Sequence, residues 1–195
     1  MDQYEALKYY FGHSQFRQGQ EALINAILSG RDVLGIMPTG GGKSLCYQIP
    51  ALVLEGVTVV ISPLISLMKD QVAALSEAGI QAAYLNSTLT PQQMQLVYQR
   101  TREGAYQLLY VAPERLDTAE FSALVEQISV PLVAVDEAHC ISQWGQDFRP
   151  SYLNIAAFVQ RLPRRPVVAA FTATATGEVQ ADIVRLLELR EPLRM

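Results

Sequence analysis

Short, continuously apolar runs recur along this chain, separated by longer stretches with helical spacing. The runs Asp32 to Met37, Thr58 to Ser62, Ala82 to Leu85, Gln107 to Val111, Leu132 to Asp136 and Val167 to Thr172 predict strands. Most are apolar throughout rather than alternating, as in strands buried on both faces of a parallel sheet. Before the first strand, Ala22, Leu23, Ala26 and Ile27 form a helical stripe within Gln20 to Leu28, closed by Ser29-Gly30. In Thr90-Pro91-Gln92-Gln93 a Ser/Thr cap, a proline at the first helical position and a glutamine at the third coincide, which predicts a helix to about Arg102. Strand and helix in alternation predict an α/β fold, a doubly wound and mostly parallel sheet sandwiched by helices, behind an N-terminal helical segment over residues 1–30. Ligands of such sheets bind at the carboxyl ends of the strands, so chemistry is sought there. The stretch from His139 to Ser151 reads as a long loop.

Composition narrows the function classes. Half of the 195 residues are hydrophobic and 17% are charged, which excludes extended disorder and points to one packed domain over 1–195. A formal charge of −4 supplies no global positive field, so any contact with nucleic acid must be local. Cys46 and Cys140 stand far apart in no metal or disulfide spacing and read as buried thiols. No apolar run approaches a membrane span and no secretory leader is evident, so a cytoplasmic chain with no membrane partner is expected.

Immediately after the first strand comes Met37-Pro38-Thr39-Gly40-Gly41-Gly42-Lys43-Ser44, followed by a helical Leu45-Cys46-Tyr47-Gln48. Strand, glycine loop, Lys-Ser and helix arrive in the order a phosphate cradle needs. Backbone N–H groups of Thr39, Gly40, Gly41 and Gly42 can turn toward phosphate oxygens, and the helix N-terminus adds a favourable dipole. Lys43 would neutralise the β and γ phosphates and the Ser44 hydroxyl would ligate Mg²⁺. Met37 occupies the position where the strict pattern has glycine; without its strand and helix the run would read as a plain glycine turn.

The run Leu132 to Val135 delivers Asp136-Glu137-Ala138-His139 to a strand's carboxyl end. Asp136 is expected to hold Mg²⁺, and Glu137 to orient and deprotonate an attacking water. The bland alternative is a solvated acidic turn. His139 could carry a proton, bind zinc or act as a polar strut; adjacent His139-Cys140 suits one tetrahedral ion poorly, which favours the strut.

Taken together, these stretches resemble the RecQ-type DNA helicases of superfamily 2 over nearly the whole chain. Phe16-Arg17-Gln18-Gly19-Gln20 resembles the family's adenine-reading motif, MPTGGGKS its Walker A loop, and Ser62 to Gln71 its motif Ia. Tyr110 to Leu116 resembles a DNA-side motif, and DEAH followed by Cys140-Ile141-Ser142-Gln143-Trp144-Gly145 the Walker B motif and aromatic-rich loop. Phe171 to Ala175 resembles motif III.

The resemblance implies ATP and Mg²⁺ as cofactors, single-stranded and duplex DNA as partners, and 3′-to-5′ unwinding in repair or recombination. It further implies that the chain is a first RecA-like lobe, working against a second lobe that carries the arginine finger. Gln20 would read the adenine edge, with Arg17 and His13 holding the base; His13 replaces the family's usual aromatic ring. Ser62, Asn86 and Ser87, at strand ends, would meet DNA phosphates, or simply cap turns. Trp144, Phe148 and Arg149 would sense single-stranded DNA, unless the two rings are core residues, and Gln146 stands where the family often has histidine. Thr172 and Thr174 would link hydrolysis to DNA, or cap the next helix. Two other classes remain open: an ATP- and ssDNA-binding module without turnover, and a small phosphotransferase on the same cradle.

Overall fold

Among the described residues, the six apolar runs form six of the seven strands of one all-parallel sheet. The computed structural model describes residues 1–38 and 42–195. The strands are β1 (Val33–Ile36), β2 (Thr58–Ile61), β3 (Ala82–Leu85), β4 (Leu108–Val111), β5 (Leu132–Val135), β6 (Val167–Thr172) and β7 (Leu193–Arg194), in the spatial order β3-β4-β2-β5-β6-β1-β7. The first six match the predicted runs to within a residue or two. β7 was not predicted, because two residues paired to β1 carry no periodicity of their own.

Eight helices accompany the sheet among the described residues. They are α1 (Gln3–Phe11), α2 (Gln20–Leu28), α3 (Leu45–Val53), α4 (Ile65–Glu77), α5 (Pro91–Arg102), α6 (Ala119–Val125), α7 (Ile155–Arg161) and α8 (Gly177–Leu186). Successive strand side chains point to opposite faces, so β5 sends Leu132 and Ala134 to one core and Val133 and Val135 to the other. The first core also takes Leu23 and Ile27 of α2, Cys46 and Tyr47 of α3, and Met68 and Leu75 of α4. The second takes Tyr98 of α5, Phe121 of α6, Phe158 of α7 and Ile183 of α8. Both faces are covered, which is why the strands read as unbroken apolar runs. α1 packs outside this sandwich through Ala6 and Leu7 against Ile24 of α2 and Ile49 of α3. None of the described helices is long and apolar enough to cross a membrane. Cys46 and Cys140 are both free and buried, and burial pushes each thiol up to about 12.

The helix read from Thr90-Pro91-Gln92-Gln93 starts as expected. Thr90 Oγ1 accepts from the Gln93 N–H at 3.1 Å, and Gln93 Oε1 accepts in return from the Thr90 N–H at 2.9 Å. This reciprocal cap stands at the surface with little else to replace it, so Thr90→Ala should cost about 1 kcal/mol of stability. Urea denaturation with an unchanged m-value is the measurement.

Candidate functional site

Strand order decides which loops meet. β1 and β5 are separated by β6 alone, so their carboxyl ends open on the same edge with the end of β6 between them. Ile36 lies opposite Thr172, and Val135 opposite Ala170. The glycine loop leaves β1, the acidic pair leaves β5, and Thr172 closes β6 in the gap.

Lys43 Nζ lies 3.2 Å from Asp136 Oδ1 and 3.3 Å from Glu137 Oε1, with all three side chains largely shielded from solvent. Burial pulls the Lys43 ammonium down, but attraction to the two carboxylates outweighs it and the net shift is upward. Burial pushes the Asp136 carboxyl up, against the pull of Lys43 and with the adjacent Glu137 charge adding to the rise. Breaking such a buried cluster by removing one partner leaves an uncompensated charge, so the three side chains act as a unit.

The backbone at the end of β5 is bent to deliver Glu137. Its φ of 50° places a non-glycine residue in the left-handed region, at an expense of about 1–3 kcal/mol that surrounding bonds must offset. Three such bonds are present. Asp136 Oδ1 accepts from the Glu137 N–H at 2.9 Å, the Glu137 carbonyl accepts from the Cys140 N–H at 3.0 Å, and the Tyr152 hydroxyl donates to the Asp136 carbonyl at 2.8 Å. Tyr152 is fully buried and belongs to the short 3₁₀ turn Pro150–Asn154 that ends the loop after His139. Sequence reasoning missed it, and the only signal was its place shortly after the aromatic loop.

His139 Nδ1 lies 2.8 Å from Thr172 Oγ1, while the Thr172 hydroxyl donates to the Thr174 carbonyl at 3.1 Å. The Thr172 hydroxyl has one proton to give, so when it donates to Thr174 it accepts from the ring Nδ1 of His139. Glu137 Oε2 is 3.6 Å from the same nitrogen. His139 thus stands between the acidic pair and the end of β6. Thr172 is fully buried, and Thr174 is exposed.

Gln20 is buried. Its Oε1 accepts from the Arg17 N–H at 2.7 Å, and its Nε2 donates to the Gly42 carbonyl at 3.0 Å. The adenine-motif segment is therefore tied directly to the last glycine of the loop. A Cβ at Gly42 would fall 3.1 Å from Met37 Cε and 3.4 Å from Gln20 Nε2, so a side chain there would press on both and on the Gln20 tie. The Arg17 side chain and His13 are exposed, and Ser44 is half-buried immediately before α3. Thr39, Gly40 and Gly41 lie outside the described residues.

The remaining expected residues spread along the same sheet edge toward β3. Ser62 is buried after β2 and its Oγ accepts from the Leu64 N–H at 3.2 Å. Asn86, buried after β3, accepts from both the backbone N–H and the hydroxyl of Thr88, while Ser87 is exposed. Ser62 and Asn86 thus serve as turn caps as well as standing at the edge. Trp144 is 74% exposed and lies outside both cores; Phe148 is half-buried and Arg149 pairs with Asp147 at 3.0 Å. Between the loop and the end of β6 opens a cleft of about 630 Å³, lined by Glu137, His139, Trp144, Gln146, Thr174 and Val179.

A parallel sheet with a Lys-Ser glycine loop on one strand end and an acidic pair, its aspartate buried, across the neighbouring strand defines the RecA-like class of P-loop domains. The chain belongs to the DEAD/DEAH box helicase family, whose model matches residues 17–183. It is 56% identical over 186 residues to the ATP-dependent DNA helicase RecQ of Bacillus subtilis (strain 168), covering 95% of this chain and 32% of that protein. To the ATP-dependent DNA helicase RecQ of Haemophilus influenzae it is 52% identical over 184 residues, covering 94% of this chain and 30% of that protein. The chain spans about a third of the length of these curated relatives. In fold it is similar to the DUF1998 helicase MrfA, whose crystal structure is of the protein bound to DNA, with a TM-score of 0.76 at 18% identity over 100% of this chain and 29% of that one.

Proposed function

We propose that the chain is the ATP-binding first motor lobe of a RecQ-type, 3′-to-5′ DNA helicase, a single domain over residues 1–195 that works against a second RecA-like lobe. The observation that carries this reading is the convergence of Lys43, Asp136 and Glu137 across the end of β6, with His139 and Thr172 joining them to the loop that presents Trp144. In this reading the intact helicase would serve DNA repair or recombination in the cytoplasm.

The donor set fits a magnesium nucleotide. Two carboxylates already share one cation, Lys43 Nζ, and Ser44 follows that lysine directly at the start of α3; carboxylate and hydroxyl oxygens are the hard donors Mg²⁺ prefers. Asp136 and Ser44 would hold the ion, which when bound neutralises charge on the phosphates. Lys43 would turn from the carboxylates to the β and γ phosphates. Glu137 would orient the attacking water and accept its proton. Arg17 and His13 would flank the base; Gln20, with one amide hydrogen and one lone pair uncommitted, would connect the base to the cradle.

DNA would lie across the edge presenting Ser62, Asn86, Ser87 and Thr174, with phosphates taken by polar groups and backbone N–H groups, and a base stacked on the exposed Trp144. The test is phosphate release by the chain supplied with a second lobe, with and without single-stranded DNA. Stimulation by DNA is expected; binding of nucleotide and DNA with no stimulated release would instead mark a module without turnover. In the same assay Trp144→Ala should weaken single-stranded DNA binding by about 1–3 kcal/mol and lower DNA stimulation more than basal turnover. A proportional fall in both would remove the coupling role from Trp144.

A further inference from the structure

The loop that carries Trp144 is anchored to a helix that no sequence motif marks. Ser142 is fully buried, and its hydroxyl donates to Asp182 Oδ2 of α8 at 2.7 Å. The same oxygen accepts from the Trp144 N–H at 3.1 Å, so one hydroxyl joins the loop backbone to a carboxylate 40 residues later. The second carboxylate oxygen, Oδ1, accepts from Arg185 Nη2 at 2.9 Å one turn further along the helix. Asp182 is thereby held at both oxygens, and its carboxyl lies below the usual range because these two bonds favour the charged form.

Packing reinforces the anchor. Gly145 passes so close to its neighbours that a Cβ would fall 3.0 Å from the His139 carbonyl oxygen and 3.5 Å from Val179 Cγ2 of α8. α8 itself begins at Thr176, which caps it, directly after the end of β6 that contains Thr172 and Thr174. One helix therefore contacts the loop on one side and continues from β6 on the other. The indole of Trp144 projects from this anchored turn into solvent.

We infer that Asp182 is a positioning residue: through Ser142 it fixes the turn that presents Trp144, so that the ring and the end of β6 move as one body with α8. A hydrogen bond to a charged acceptor is among the stronger kinds, and its loss should shift the loop toward other conformers by roughly ten-fold or more. The part of this inference that concerns DNA rests on the proposed function; the anchoring of Trp144 does not.

Trp144 is the single tryptophan of the chain, so its fluorescence reports on this loop alone. Time-resolved anisotropy of the 195-residue chain should show more fast ring motion in Asp182→Ala and in Ser142→Ala than in the wild type. The double variant should show no more than Ser142→Ala alone, because the bond that Asp182→Ala removes is already lost with the hydroxyl. Asp182→Asn, which keeps an oxygen able to accept from Ser142, should stay close to the wild type. Arg185→Ala, on the exposed side of the carboxylate, should change little. Unchanged ring motion in both Asp182→Ala and Ser142→Ala, with the fold intact by circular dichroism, would overturn the inference. So would an effect of Arg185→Ala as large as that of Asp182→Ala. If Asp182→Ala does not fold, Asp182→Ser takes its place. Oligo-dT affinity is the second measurement, expected to fall roughly ten-fold in Asp182→Ala while affinity for a fluorescent ATP analogue holds. A wild-type chain that ignores oligo-dT would count against the proposed function, and the anisotropy would still decide this inference.

Discussion

Glu137→Gln should leave ATP binding intact and lower turnover by about 10²–10⁴, the usual contribution of a positioned general base, while Lys43→Ala should abolish tight binding. The separation follows from geometry. Glutamine keeps the size of Glu137 and can still accept from Lys43, but it has lost the charge that would take a proton from water. Lys43 is different, because it is the only lysine or arginine within salt-bridge distance of Asp136 and Glu137 among the described residues. Without it, triphosphate would be brought toward two uncompensated carboxylates, one of them buried. Titration calorimetry with ATP and Mg²⁺, followed by phosphate release in the presence of a second lobe, separates the two variants. Equal loss of binding in both would remove the division of roles.

The largest effect on stability should come from the opposite end of the sheet. Asp32 precedes β1, is 2% exposed, and accepts four hydrogen bonds. Arg165 donates from Nη1 at 3.1 Å and from Nη2 at 2.7 Å, the Val168 N–H at 3.0 Å, and the Arg190 N–H at 2.8 Å. One carboxylate thus ties the start of β1 to the start of β6 and to the segment leading into β7. Asp32→Ala would strand a partly buried guanidinium and two N–H donors, at a loss of about 3–5 kcal/mol. Asp32→Asn should lose less, since the carboxamide oxygen still accepts while its amide group faces Arg165 as a donor. Urea denaturation of the three chains is the measurement. A loss below about 1 kcal/mol for Asp32→Ala would show that the pair contributes no more than an exposed ion pair does.

These two sites differ in how far the sequence announced them. Lys43, Asp136 and Glu137 were legible because each sits within a contiguous run whose order carries the meaning: strand, glycines, Lys-Ser, helix, and strand, acidic pair. Asp32 read merely as the first residue of a strand. Its partners lie 133 to 158 residues away, and no local pattern links an aspartate to an arginine at that distance. Gln20 was picked out as a functional amide, yet its attachment to Gly42 depends on how α2 packs beside the glycine loop. Asp182 carried no signal and Tyr152 only its place after the aromatic loop, since a buried hydroxyl donor and a helix-surface carboxylate look ordinary until their acceptor and donor are known.

The strands and the Thr90-capped helix were determined by the sequence alone, because burial on two faces and helix capping are enforced residue by residue within short windows. So were the identity and order of the chemical groups, which need only the right neighbours in the chain. Tertiary structure decided the rest. The insertion of β6 between β1 and β5, the two-residue β7, the left-handed turn at Glu137 and the ties from Gln20, Tyr152 and Asp182 each depend on contacts between distant segments. Their free energy arises when the sheet closes, and no stretch of chain holds it beforehand.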